Sequence, residues 1–407
     1  MPARPGTERK PATGSRVVAP GYLRRVTDEP QRPASPSRRR TVLVAAIAFL
    51  SLGALVSLYG PLFPVLRSRF GIGVEQVGAV VSAHFVGSLA AVLVSGVLIR
   101  RLGYRTVMVG GSVALVAGLA GLVPAPGWTL FLAAAVVAGV GFGLVQVAIN
   151  LVVARSFPGS AAPALNLINA VFGAGALATP IMVAAFGPRL GPPVYVLTGL
   201  AGLVLIAVLS LRTLPVPPAI PRDREPGTWG VVLGFVVLYF AYVSAEVGVT
   251  SWSTEHLTPA YGLTFAAAVP GAYWGALTVG RLVAAALTSR FAPGKVLVFG
   301  LSVAVAALVG ATYVPIAPVM YGVVGFALAP TFATGLAWLT ARFPGRAEQV
   351  SPAVFAAASV GPIATAPLIG LAFSELGPVA VPTSLAALAA AALLSAVWIQ
   401  SRGATDR

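Results

Sequence analysis

Twelve apolar segments follow one another between residues 41 and 400 with only short polar breaks between them. They cover 41–66, 77–99, 104–125, 128–153, 161–187, 193–213, 229–253, 264–288, 295–315, 317–341, 350–374 and 378–400. A hydrocarbon core about 30 Å thick is crossed by roughly 20 apolar residues of helix. In lipid only helices and closed barrels satisfy their own backbone hydrogen bonds. The pattern therefore predicts an all-α membrane protein of twelve transmembrane helices. Composition agrees, at 57% hydrophobic and 9% charged with a mean hydropathy of +0.90, whereas a soluble domain carries about 25% charged residues. A soluble enzyme, a disordered scaffold and a nucleic-acid binder are excluded.

The widest polar break, from Leu214 to Thr228, contains Arg222-Asp223-Arg224-Glu225 and divides the spans six and six. The expected organisation is a disordered basic tail over 1–40, a six-helix bundle over 41–213, a linker over 214–228, a second bundle over 229–400 and a short end over 401–407. A signal peptide is the rival reading of the N-terminus. The 41–66 run is too long for a signal core and lacks a convincing cleavage site. The net charge of +16 is concentrated on one side: with the tail inside, 23 of the 27 basic residues fall in cytoplasmic segments. Only Arg67, Arg69 and Arg189 lie outside, and Arg281 sits within a span. This bias places both termini in the cytoplasm, and the Ala, Gly, Val, Arg and Pro richness points to a bacterial plasma membrane.

The two halves echo each other. GVGFG, ARSFPG and FGAGALATP lie between Gly139 and Pro180, while VVGFA, ARFPG and SVGPIATAP lie between Val323 and Pro367. Phe157 and Phe343 are each followed by Pro-Gly, and the loops Arg101–Arg105 and Arg290–Lys295 take corresponding places after the second span of each half. A duplicated six-helix unit is typical of secondary transporters, whose site lies at the repeat interface near mid-membrane.

On these features the chain resembles the major facilitator superfamily, over nearly everything after residue 40. That family's loop between spans two and three reads G-x-x-x-D-[RK]-x-G-[RK]-[RK]. Its counterpart is Gly96, Arg100, Arg101, Gly103 and Arg105, with Arg100 in the place of the family's Asp, so that acid's gating contact does not carry over. Three segments resemble the fucose/glucose permease-like branch: Leu165-Asn166-Leu167-Ile168-Asn169-Ala170-Val171-Phe172-Gly173, Tyr242-Val243-Ser244-Ala245-Glu246-Val247-Gly248 with Trp252, and Tyr273-Trp274-Gly275 with Gly280-Arg281. The stretch Ala178-Thr179-Pro180-Ile181-Met182 departs from the fifth-span motif of the drug/proton antiporter branch. Proton-coupled sugar permeases of the resembled branch carry acids in spans one and four, where this chain has none.

Glu246 is the only acidic residue well inside one of the twelve segments, and intramembrane carboxylates face a bundle interior or an aqueous path. Tyr239 and Tyr242 share its helix face. The functional reading is a group that binds substrate hydroxyls or carries a coupled proton, and the structural reading is a brace between helices. Arg281 reads as a clamp within the bundle or as a partner of Glu246, and His84 as an interior hydrogen-bonding residue or a proton relay. Gln146 with Asn150 and Asn166 with Asn169 mark polar helix faces, suited to a neutral hydroxylated solute because amides donate and accept. Helix–helix bonding is their other reading. Tyr59, Trp252, Tyr273, Trp274 and Trp338 read as aromatic faces for a sugar ring or, singly, as interfacial anchors and lipid contacts, Trp252 near a span end above all.

No cofactor or metal is expected. The chain has no Cys and two His, and the glycines Gly139, Gly141 and Gly143 sit inside an apolar helix where close packing explains them. The partners expected are a small-molecule substrate, the proton gradient and the lipid bilayer, with no nucleic acid, and the chain is read as a monomer. A non-transporting receptor and a channel are weaker readings, since no loop is long enough to fold alone and no filter-like repeat occurs. Export of a drug or metabolite is the alternative to uptake of a sugar-like solute.

Overall fold

The computed structural model describes residues 36–156, 161–187, 189–211, 229–288, 290–343 and 347–404. The tail over 1–35, the linker 214–228, the Pro-Gly turns after Phe157 and Phe343 and the last three residues lie outside the described residues. The described chain is helical: α1 Pro36–Val56, α2 Tyr59–Phe70, α3 Val74–Val77, α4 Ala79–Leu122, α5 Trp128–Ser156, α6 Ala161–Phe186, α7 Gly191–Leu209, α8 Trp229–Tyr261, α9 Leu263–Thr288, α10 Pro293–Gly310, α11 Ala317–Leu328, α12 Thr331–Arg342, α13 Ala347–Leu376 and α14 Ala380–Ala404. The first helix begins at Pro36, so its start overlaps the basic stretch expected to be tail.

Among the described residues, ten stretches are long and apolar enough to cross a membrane. One of them, Val74–Leu122, runs for 49 residues and holds two crossings, because Gly103 at φ 80° and ψ 161° reverses the chain within α4. Gly87 and Gly118, on either side of that reversal, both lie against α5, at Val136 and Ala138. A further helix, α9, has 26 residues, enough to cross, although Tyr273, Trp274 and Arg281 dilute its hydropathy. Twelve crossings result.

Two crossings are broken where a continuous helix is expected. The first divides into α1 and α2 at Ser57–Leu58, where Pro61 lacks the N–H that the Ser57 carbonyl would accept and Leu58 N turns back to Leu55 O at 3.1 Å. The tenth divides into α11 and α12 at Ala329–Pro330, since Pro330 likewise leaves the Phe326 carbonyl without its helix donor. The seventh runs on to Tyr261, well past the expected end at 253, and stops at Gly262 with φ 75°.

The halves pack alike. Small residues let membrane helices approach backbone to backbone, and a Cβ on Gly139 of α5 would strike the His84 carbonyl of α4, just as one on Gly325 of α11 would strike Tyr273 O of α9. Gly53 and Gly175 lock α1 to α6, and Gly361 fits α13 against Phe240 O of α8. Left-handed turn glycines also come in corresponding pairs, Gly71 with Gly262 and Gly187 with Gly377. The fold is two pseudo-symmetric six-helix bundles, α1–α7 and α8–α14.

The face on which α14 ends and α4 reverses is the terminal face. There Arg105 donates to Leu209 O at 3.1 Å and Arg342 to Arg402 O at 3.0 Å, each within one bundle. The bundles meet from mid-depth to the opposite face. Gly60 lies against Thr250 and Ser251, Gly78 against Ala366, Gly271 against Leu177 and Gly370 against Val74, and Ser82 donates to Ile363 O at 2.7 Å.

Candidate functional site

At mid-depth in the second bundle, α8 and α9 bring Tyr242, Glu246, Tyr273 and Arg281 together. One face of α8 carries Tyr239, Tyr242 and Glu246, spaced to stack on successive turns. The Tyr242 hydroxyl donates to the Glu246 carboxylate. On α9, Tyr273 and Arg281 lie two turns apart, near enough for the Glu246 and Arg281 charges to act on each other and on both tyrosines. Glu246 and Arg281 do not touch as an ion pair, because the one ion pair among the described residues joins Arg67 to Glu255.

Next to this cluster stand Tyr273 Oη and Trp274 Nε1, both buried and without a hydrogen-bond partner. Buried polar atoms are nearly always bonded, so donors left open beside this cluster suit a ligand with acceptor oxygens. The Trp274 ring meets Phe172 of α6 edge-on at 5.9 Å, and Gly173 faces Thr278. Trp274 therefore stands where the two bundles meet. On α6, Asn169 is exposed one turn before Phe172, and the Asn166 side chain lies outside the described residues.

The remaining candidates make contacts of their own. The Tyr239 hydroxyl is engaged by Phe332 O at 2.6 Å, and its ring is fully buried against Phe332. Trp338 packs edge-on against Phe235 at 5.3 Å and over Gly294, near the terminal face and apart from Glu246. Gln146 and Asn150 are half-buried on α5, where Asn150 Nδ2 donates to the Gln146 carbonyl at 2.8 Å. His84 is buried in the first bundle, 3.4 Å from the Tyr59 hydroxyl and ringed by Tyr59, Phe85 and Phe142. At the terminal face, where α4 reverses, the helical residues Gly96, Arg100 and Arg101 are exposed, Gly103 makes the reversal and Arg105 caps α7.

A second buried carboxylate was not singled out in the sequence. Glu255 on α8 is buried and bonded to Arg67 of α2 at 2.9 Å, with His256 beside it held by Tyr321 Oη at 2.8 Å. The polar run from Thr250 to His256 reads as the end of a span. The missed signal is the pair Pro259 and Gly262, which sets the helix end a further two turns on.

Comparison with known proteins places this arrangement in a family. Residues 43–324 match the model of the Major Facilitator Superfamily. The chain belongs to that superfamily. A glucose/galactose transporter of Brucella abortus is 30% identical over 64% of this chain and 69% of its own length. An uncharacterised MFS-type transporter of Yersinia pestis is 24% identical over 79% and 85%. Among solved structures, a D-xylose-proton symporter overlays with a TM-score of 0.75 at 13% identity, covering 89% of this chain and 97% of that one. The Escherichia coli fucose:proton symporter FucP overlays at 0.62 with 19% identity, covering 89% and 99%. The protein is thus a multi-pass membrane transporter rather than an enzyme, and it carries small solutes as a secondary transporter.

Proposed function

We propose that the chain takes up a sugar or a similarly hydroxylated neutral solute by alternating access, coupled to protons. The substrate is bound between Tyr242, Glu246, Tyr273 and Trp274 of the second bundle and the amides Gln146, Asn150, Asn166 and Asn169 of the first. Glu246 carries the coupled proton. The observation behind this reading is the Tyr242–Glu246 pair facing Arg281 beside the two open donors of Tyr273 and Trp274. A carboxylate and a guanidinium held apart leave room for hydroxyls, which donate to one and accept from the other. The relative named as a glucose/galactose transporter supports the same solute class.

The reading places the protein in the plasma membrane as a monomer, with both termini cytoplasmic and bundles over 41–213 and 229–400. His84 is a secondary relay in this scheme, and the loop from Gly96 to Arg105 moves as the bundles rock.

Export of a drug or metabolite is favoured by one observation: between residues 41 and 213 the only acidic residue is Glu75, so the first bundle lacks an intramembrane acid. Purified protein in liposomes decides between them, with labelled hexoses and amphipathic drugs tested with and without an imposed pH gradient. Hexose accumulation driven by inward protons and lost in Glu246→Gln supports uptake. Drug movement against the proton gradient, with no hexose transport, replaces it by export.

A further inference from the structure

Arg67 and Glu255 lie 188 positions apart and belong to different bundles, on α2 and α8. Their ion pair sits on the side where the bundles are closed. Around it the closure is tight: Gly60 approaches the backbone of Thr250 and Ser251, and Phe63 meets Trp252 edge-on at 5.0 Å. The Glu255 side chain is only 4% exposed, against 35% for Arg67. Neither Oε1 of Glu255 nor Nε of Arg67 has a partner, so a single bond joins them.

The groups packed around Glu255 offer no substitute cation. His256 is bonded through Nδ1 to Tyr321 of α11, Thr254 donates to Ala266 O of α9, and Trp252 meets Phe373 of α13 at a tilt, with ring centroids 6.4 Å apart. When the bundles part on this side, Arg67 leaves with α2 and Glu255 stays on α8. A buried carboxylate that loses its only cation is strongly disfavoured unless water reaches it.

From this geometry we infer that Arg67 and Glu255 are a latch for the transport cycle, holding the face opposite the termini closed and releasing it when their one bond breaks. The inference rests on the alternating-access reading but not on the solute. The other polar side-chain bond described between the bundles, Ser82 to Ile363 O, leaves no charge behind when it separates. The ion pair is therefore the contact whose loss most changes the balance between closed and open forms.

The chain contains no Cys, so spin labels attach only where cysteines are introduced. In the full-length protein in lipid nanodiscs, without substrate, one label pair goes on Ser68 and Ser374 at the opposite face. A second goes on Thr106 and Ser401 at the terminal face. All four residues are exposed. Electron–electron distance measurements then read each face separately. Arg67→Gln and Glu255→Gln are each expected to shift the open-to-closed ratio at the opposite face about tenfold, lengthening the first distance and shortening the second. Arg67→Glu with Glu255→Arg, which restores the pair with reversed charge, returns both distances toward wild type. Unchanged distances in both single variants overturn the latch. Lengthening of both label pairs together also overturns it, since that reports a loosened fold. Thermal unfolding of each variant, run alongside, identifies any that fail to fold, and the exchanged pair then serves as the deciding variant.

Discussion

His84 of the first bundle and Tyr273 of the second occupy equivalent places. Each stands equally far before the arginine that ends its span, Arg101 or Arg290, and each is backed by a glycine, Gly139 or Gly325. Their surroundings differ. His84 is enclosed by aromatic rings and meets the Tyr59 hydroxyl, whereas Tyr273 lies within reach of the charges of Glu246 and Arg281. The duplicated scaffold thus keeps its packing on both sides while its charge chemistry sits on one. A rocking transporter needs two similar rigid halves, but a binding site needs only one half to hold the strong electrostatics.

The sharpest test of that asymmetry compares Glu246→Gln with His84→Gln. Loss of the carboxylate is expected to lower gradient-driven accumulation about 100-fold, matching a charged hydrogen bond worth about 3 kcal/mol. Substrate counterflow, which needs no net proton movement, survives it. The His84 change removes one long contact to a tyrosine, and intramembrane hydrogen bonds of that kind average about 0.6 kcal/mol, so transport falls less than threefold. Equal losses in the two variants would mean that the first bundle shares the coupling chemistry.

Packing symmetry predicts the opposite pattern. Gly139→Leu and Gly325→Leu both force a side chain into a facing backbone carbonyl, and overpacking a dense interior costs about 1–3 kcal/mol or more. Thermal unfolding in detergent is expected to show similar drops for both. A large drop for one and none for the other would show that the bundles are packed less alike than their glycines suggest.

Much of this was legible in the sequence, because the membrane imposes it. Apolar runs and one-sided basic charge give the twelve crossings, and duplicated turns give the repeat. The bond from Tyr242 to Glu246 follows from residues four apart on one helix. What escaped is what hydropathy does not measure. Pro180, Pro270 and Pro362 stay inside continuous helices, whereas Pro61 and Pro330 accompany breaks, and tertiary packing decides which. The Arg67–Glu255 pair was hidden for a different reason: its partners are far apart in sequence, and the buried end of α8 is polar enough to pass for a loop. Trp338 shows how far sequence reading reaches: an aromatic suited to a sugar ring is legible in the sequence, but its edge-on packing against Phe235 is not.

Within the second bundle, Tyr273→Phe separates a hydroxyl held open for substrate from one buried without function. Its oxygen has no partner in the structure, so removing it leaves folding stability unchanged or slightly higher. A hydroxyl that bonds the solute contributes about 1 kcal/mol, so KM for a transported hexose rises about fivefold while the maximal rate is kept. An unaltered KM would take Tyr273 out of the proposed site and leave Trp274 as the open donor there.

The smallest effect is expected at Tyr239, which shares its helix face with Tyr242 and Glu246 but has its hydroxyl committed to Phe332 O. That carbonyl lies in the first turn of α12, just past the break at Pro330, where the helix restarts. The bond therefore fastens α8 to a restarted helix end and is not free for a solute. Tyr239→Phe keeps the ring and its edge-on contacts with Tyr242 and Phe332, so only the hydrogen bond is lost. Unfolding should ease by about 0.6 kcal/mol, a small shift in melting temperature, with hexose KM unchanged. If KM rose as much as in Tyr273→Phe while stability held, the Tyr239 hydroxyl would be part of the binding surface. The site would then extend one turn closer to the terminal face.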